Sequence, residues 1–135
     1  MDPDQIARQL IDCFSRGDHE GAAALFDPDV SFWFNGAQIE GWSGPDGYWL
    51  AVNLILTFVT DPSIDGSALT LENPQVISGQ LVGQGTLRST GEPVTVSFHV
   101  ALEVRGEAIC GVLITVQETD LRGLLEQGSP GERVH

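Results

Sequence analysis

The pattern of apolar and polar positions divides the chain in two. Up to residue 59 the apolar residues recur mostly at helical spacing, and beyond it they recur every second residue. Asp2-Pro3 supplies a side-chain cap and a pre-set φ, and Ile6, Leu10, Cys13 and Phe14 then face one way along a helix that Gly17 stops. Asp12 falls on the opposite, solvated face. Asp18 caps a second, short helix through Ala22 to Phe26, with His19 exposed in its first turn, and Asp27-Pro28 ends it. Val30 to Phe34 reads as a strand, and Gln38 to Glu40 as a short partner. Val30, Phe32 and Phe34 alternate with Ser31, Trp33 and Asn35, so one set lines the interior and the other does not. Ser43-Gly44-Pro45-Asp46 resembles a capping box opening a third helix. Tyr48, Val52, Ile55 and Val59 make one face of that helix, and Leu50, Leu54 and Phe58 the other. Two apolar faces require cover on both sides. Its interior polar residues, Asn53 and Thr57, are four apart and therefore neighbours.

After Asp61-Pro62 the pattern predicts strands near 67–77, 80–89, 93–105 and 108–119. The turns fall at Ser78-Gly79, Thr90-Gly91-Glu92 and Arg105-Gly106-Glu107. In the third of these strands Val94, Val96, Phe98, Val100, Leu102 and Val104 alternate with Thr95, Ser97, His99, Ala101, Glu103 and Arg105, which is a half-buried strand of period two. Asp120 opens a last helix through Leu124 and Leu125. Helices segregated onto one face of an antiparallel sheet make an α+β domain. Long strands twist and curl, and three helices over a curled sheet enclose a conical space. Residues 1–127 form one domain, with 128–135 as a flexible tail.

Composition narrows the partners. The chain has 135 residues, 41% apolar, enough for one core. Its net charge of −13 repels nucleic acid and anionic membranes, so neither is expected as a partner. The first 25 residues hold acids and no long apolar run, which argues against a signal peptide. Tyr48 to Val59 is too short to span a bilayer. Cys13 and Cys110 form no C-x-x-C and read as reduced core residues of a cytoplasmic protein. Neither a metal nor a cofactor is expected: His99 and Glu103 lie about 13 Å apart along one strand, too far to share an ion. The small, neutral run Thr95, Ser97, His99 and Ala101 on a sheet face predicts a homodimer.

Several segments together resemble the SnoaL-like, or nuclear-transport-factor-2-like, α+β-cone superfamily. These are Arg16-Gly17-Asp18 between the first helices, Leu25 to Val30 entering the first strand, Gly41 before the third helix, the hairpin Val100 to Ile109, and Glu118 to Leu121. The resemblance implies a cystatin-like cone with three helices of the N-terminal half packed on a strongly curved antiparallel sheet. The superfamily holds ketosteroid isomerases, polyketide cyclases, epoxide hydrolases, dehydratases and non-catalytic members. At the positions where isomerase-like members carry a general-base Asp, an inward Asp and a first-helix Tyr, this chain has Phe34, Val100 and Leu10. A shift of one at the first gives Asn35. Trp33 and Asn35 match an aromatic and an Asn of epoxide-hydrolase-like members. The later strands, with Thr86, Leu87, Arg88 and Gln117, lack the acids of that mechanism.

The resemblance therefore implies a small-molecule cyclase or isomerase of secondary metabolism. It would act on a hydrophobic polyketide- or terpenoid-like substrate, mainly by holding it in a reactive shape. Asn35, Tyr48 and Trp33 are the candidate catalytic groups, supplying neutral hydrogen bonds. Leu10, Phe14, Phe32, Phe34, Trp49, Val52, Asn53, Phe98 and Val100 are the candidate pocket residues. Three alternatives remain open at this point: a non-catalytic binding or dimerisation module, an epoxide hydrolase or cyclase, and an acid–base isomerase using Glu40, Glu72 or Glu118.

Overall fold

A computed structural model of the chain describes residues 2–116. The elements follow in the order α1 (Pro3–Arg16), α2 (His19–Ala23), β1 (Phe26–Phe34), β2 (Ala37–Ser43), α3 (Pro45–Phe58) and β3 (Val59–Asp65). Then come β4 (Thr70–Asn73), β5 (Val76–Leu87), β6 (Pro93–Arg105) and β7 (Ala108–Thr115). The helix foreseen from Asp120 and the tail 128–135 lie outside the described residues.

The first helix forms as its sequence predicts. Asp2 accepts from the Gln5 amide at 2.9 Å, and the Gln5 side chain accepts from the Asp2 amide at 3.0 Å, closing a capping box. Gly17 ends the helix in the left-handed region. Ile6, Ala7, Cys13 and Phe14 are buried, while Asp12 points outward and pairs with Arg16. Asp18 caps α2 by accepting from the Gly21 amide at 3.1 Å. By contrast, α3 begins at Gly44 with no side-chain cap, so the expected box is not formed. Gly44 has φ 68°, and a Cβ there would lie 2.8 Å from the Pro28 carbonyl oxygen, so this entry needs glycine.

The seven strands make one curved, mixed sheet in the order β2-β1-β7-β6-β5-β3, with β4 added on β5. It is not antiparallel throughout: β1 runs parallel to β7, pairing Phe32 with Val112 and Phe34 with Ile114. Three further expectations are corrected. Residues 59–65, read as a helix end and a turn, form β3. Asp61-Pro62 is tolerated there because β3 is an edge strand, bulged between Thr60 and Ser63, where a missing N–H costs little. The strand foreseen at 67–77 is broken at Pro74-Gln75, giving the short β4 and the start of β5. Ser78-Gly79 is not a turn but part of β5. Gly79 is there because the chain at Ala68 crosses it so closely that a Cβ would meet the Ala68 carbonyl oxygen.

Alternation along β6 settles the two faces of the sheet. Val100, Leu102 and Val104 are buried, Thr95, Ser97 and His99 exposed. Directly paired residues share a face, so the registers extend this assignment. Ile77, Leu81, Gly83, Val112, Ile114, Val30, Phe32 and Phe34 lie inside; Gln80, Val82, Gln84, Leu113, Thr115, Ser31 and Trp33 lie outside. α1 lies over β3, β5 and β6, and α3 over β1 and β2. No helix among the described residues is long and apolar enough to cross a membrane.

Candidate functional site

The inner face of the sheet is apolar from end to end. Every inward strand position of β1, β5, β6 and β7 named above is aliphatic, phenylalanine or glycine. Its cover is graded. Phe32, Val100 and Leu102 are buried, whereas Phe34, Val94, Val96, Phe98 and Ile114 are only half-buried. The concave face is thus closed by helices at one end and partly open at the other. Leu10 and Leu56, from α1 and α3, pack against the core beside it. Such a surface can take up an apolar molecule. Among the described residues, its inward strand positions carry no group that could withdraw a proton from one.

The candidate pocket residues separate into two groups. Phe14, Phe32, Tyr48, Val52 and Val100 belong to one buried cluster, with Leu10 and Phe98 packed against it, and Phe34 joins the same face through its pairing with Ile114. Trp49 and Asn53 do not join: Trp49 is exposed on α3, and so is Asn53, whose carbonyl accepts from the Thr57 hydroxyl at 2.7 Å. The three candidate catalytic groups are not brought together either. Trp33 is on the outer face, its indole N–H donating to Ser31 Oγ at 3.2 Å. Asn35 occupies the β1–β2 turn with φ 50°, and its side-chain oxygen accepts from the Val116 amide at 2.9 Å. Only Tyr48 is inside.

Tyr48 makes the contact that the sequence reading missed. Its hydroxyl lies 2.9 Å from His19 Nδ1, so His19 is half-buried rather than exposed. Phe14, Tyr48 and Trp49 surround the imidazole, with ring centroids 5.9 to 6.0 Å away. Burial raises the Tyr48 pKa well above its usual value, helped by the neighbouring Cys13 and Asp18, so the phenol stays neutral. Burial also raises the Cys13 thiol, with Asp18 adding to it. The pair ties α2 to α3. One signal pointed to it: a lone, buried Tyr needs a hydrogen-bond partner. Nothing in the spacing says that His19, 29 residues away, is that partner.

Of the three carboxylates considered as alternative bases, neither of the two that are described lies on the inner face. Glu40 is exposed on β2; Glu72, on β4, accepts from the Ser78 hydroxyl; Glu118 lies outside the described residues. An open cleft of about 520 Å³ lies elsewhere, between α1 and the end of β3, lined by Arg8, Asp12, Ser15, Ile64 and Asp65 among others. Among the described residues no three His, Cys, Asp or Glu side chains gather as a metal site.

Comparison with known proteins agrees with this architecture. A SnoaL-like domain is matched over residues 7–112, and the chain belongs to the SnoaL-like family. No curated protein matches it. Among solved structures, a provisionally named polyketide cyclase from Xanthomonas campestris pv. campestris is similar, with a TM-score of 0.76 at 16% identity, over 93% of this chain and 96% of that one. AclR of Streptomyces galilaeus, provisionally a hydroxylase, superposes with a TM-score of 0.78 at 11% identity, over 92% of this chain and 80% of its own. IdmH of Streptomyces antibioticus, another provisional polyketide cyclase, gives a TM-score of 0.73 at 18% identity, over 92% and 98%. At such identities the likeness is one of fold.

Proposed function

We propose that the protein is a small-molecule cyclase or isomerase of secondary metabolism, acting on a hydrophobic polyketide- or terpenoid-like substrate mainly by positioning it. The observation that carries this reading is the uninterrupted, half-open apolar inner face. Phe34 and Val100 stand on it, and Leu10 of α1 packs beside it, where acid–base members of the fold place ionisable or polar groups. Positioning can contribute at least as much as a base. Holding reacting atoms in a near-attack geometry removes about 7–11 kcal/mol of barrier, whereas a general base contributes roughly 10²–10⁴-fold, or about 3–5 kcal/mol. Burying about 300 Å² of apolar ligand surface yields roughly 7 kcal/mol before the cost of association. The polyketide cyclase names given to two of the similar structures point the same way. The free thiols of Cys13 and Cys110 suit a reducing compartment, the cytoplasm.

The test is titration with Nile red, a neutral dye that the negative charge of the protein does not repel. Saturable binding of one dye per chain is expected, with competition by planar polycyclic ketones and loss in Phe98→Glu. A folded protein that shows no saturable binding would remove the basis of the proposal.

The outer face supports a second part of the reading, a homodimer through the sheet. Between Thr95 and Ala101 on β6, the paired positions Gln80, Val82, Gln84, Leu113 and Thr115, with Trp33 beyond, carry no charged side chain. Two chains of −13 approach each other best where neither presents a charge. The four strands that carry these residues, about 4.8 Å apart and roughly seven residues long, span about 20 by 20 Å, roughly half of the ~800 Å² that one partner of a standard interface buries, so the uncharged patch would form the centre of the interface.

A further inference from the structure

β5 carries three inward glycines, and two of them have a structural reason. At Gly79 a Cβ would strike the Ala68 carbonyl, and at Gly85 it would overlap the Val59 side chain of the adjoining edge strand. Gly83 has none. Its φ lies outside the left-handed region, and among the described residues a Cβ built on it meets nothing nearer than the Phe98 ring at 3.6 Å and the Val96 carbonyl oxygen at 3.7 Å, both ordinary contacts. Any small side chain would fit, and glycine weakens a strand interior. Yet Gly83 is only half-buried although it faces inward, and its neighbours Val96, Phe98 and Ile64 are half-buried apolar residues. The missing side chain leaves an open, flat patch at the uncovered end of the concave face.

We infer that Gly83 is a specificity-determining residue: it forms the floor on which a planar polycyclic substrate lies, with the Phe98 ring beside it, and its lack of a side chain sets the size of substrate admitted. This rests on the reading that the concave face takes up a hydrophobic molecule, and it specifies which molecules: flat, fused-ring ones rather than slender chains. A Val at this position would fill the seat with two methyl groups. A one-ring or two-ring ligand could still lie beside it, whereas a four-ring ligand could not.

Equilibrium binding of naphthalene and pyrene, followed by their own fluorescence, tests this on the whole chain. Unaltered protein should bind both. In Gly83→Val, pyrene should bind at least tenfold more weakly and naphthalene within about threefold of the unaltered protein, with Gly83→Ala intermediate for pyrene and at least as resistant to heat as the original. Pyrene affinity unchanged in Gly83→Val would overturn the inference. So would failure of Gly83→Ala to fold, since the glycine would then have a structural reason. If the unaltered protein binds neither aromatic, the apolar-chamber reading itself falls.

Discussion

Tyr48 joins a helix contact to an ionisation, and so gives a pH dependence with a definite sign. Its folded pKa lies above its unfolded value, first through burial and then through Cys13 and Asp18. Stability from such a group is whole below the unfolded pKa of about 10 and is lost as pH rises through the folded one. Cys13 and Cys110, raised chiefly by burial, act in the same sense from about pH 9. Urea unfolding at steps of pH should therefore show stability level near neutrality and falling above about 9, and Tyr48→Phe should remove the part of the fall that begins near 10. At Val100, 4% exposed, an Asp would be an uncompensated buried carboxylate. Val100→Asp should cost several kcal/mol. Its raised folded pKa makes the loss grow as pH climbs from about 4, so thermal melts of the variant should be closest to the original in acid. At this scale the sequence was readable for inward side chains that obey a period, such as Phe32, Phe98 and Val100. It was not readable for Trp33, Asn35 and His19. Their partners are a neighbour two residues away on the outer face, the Val116 backbone amide just past β7, and a phenol on another helix, and none of these follows from local spacing.

Among the elements, α3 departs most from what its pattern suggests. The buried face is Tyr48 and Val52, with Leu56 half-buried after them, whereas Ile55, expected beside them, is 36% exposed. The second face, with Leu50 and Leu54, is exposed among the described residues. A helix apolar all round gives no internal sign of which side will be covered, because each stripe has the same period and the same hydrophobicity. Val52→Ala should cost about 1–3 kcal/mol in denaturant unfolding, and Leu54→Ala within about 0.5 kcal/mol. The reverse order would show that the other face is packed. β6 was legible to the residue because thirteen alternating positions leave only one phase. β3 was not, since Asp-Pro reads as a turn unless the strand is known to lie at an edge.

For the whole molecule, the cone could be inferred from the order of helices and strands, but the parallel β1–β7 pair could not, because pairing direction depends on long-range topology. If the uncharged part of the outer face, around Thr95 to Ala101, is the dimer interface, multi-angle light scattering at micromolar concentration should give twice the chain mass. Leu113→Asp, which places a carboxylate at a position 46% exposed, should then give single chains that keep their circular dichroism. A persistent dimer in that variant would shift the interface elsewhere. The β1–β7 pair has a consequence for synthesis as well. Strand residues 26–34 bond to a partner some eighty positions later, and the Asn35 side chain to the Val116 amide. Neither β1 nor the β2 strand beyond it can join the main sheet until β7 has been made. A nascent chain halted before residue 108 should thus remain open to protease throughout, with no N-terminal half folding ahead. Once released, it should fold in milliseconds to seconds, as non-local strand pairing dictates, rather than in the microseconds of a helical bundle.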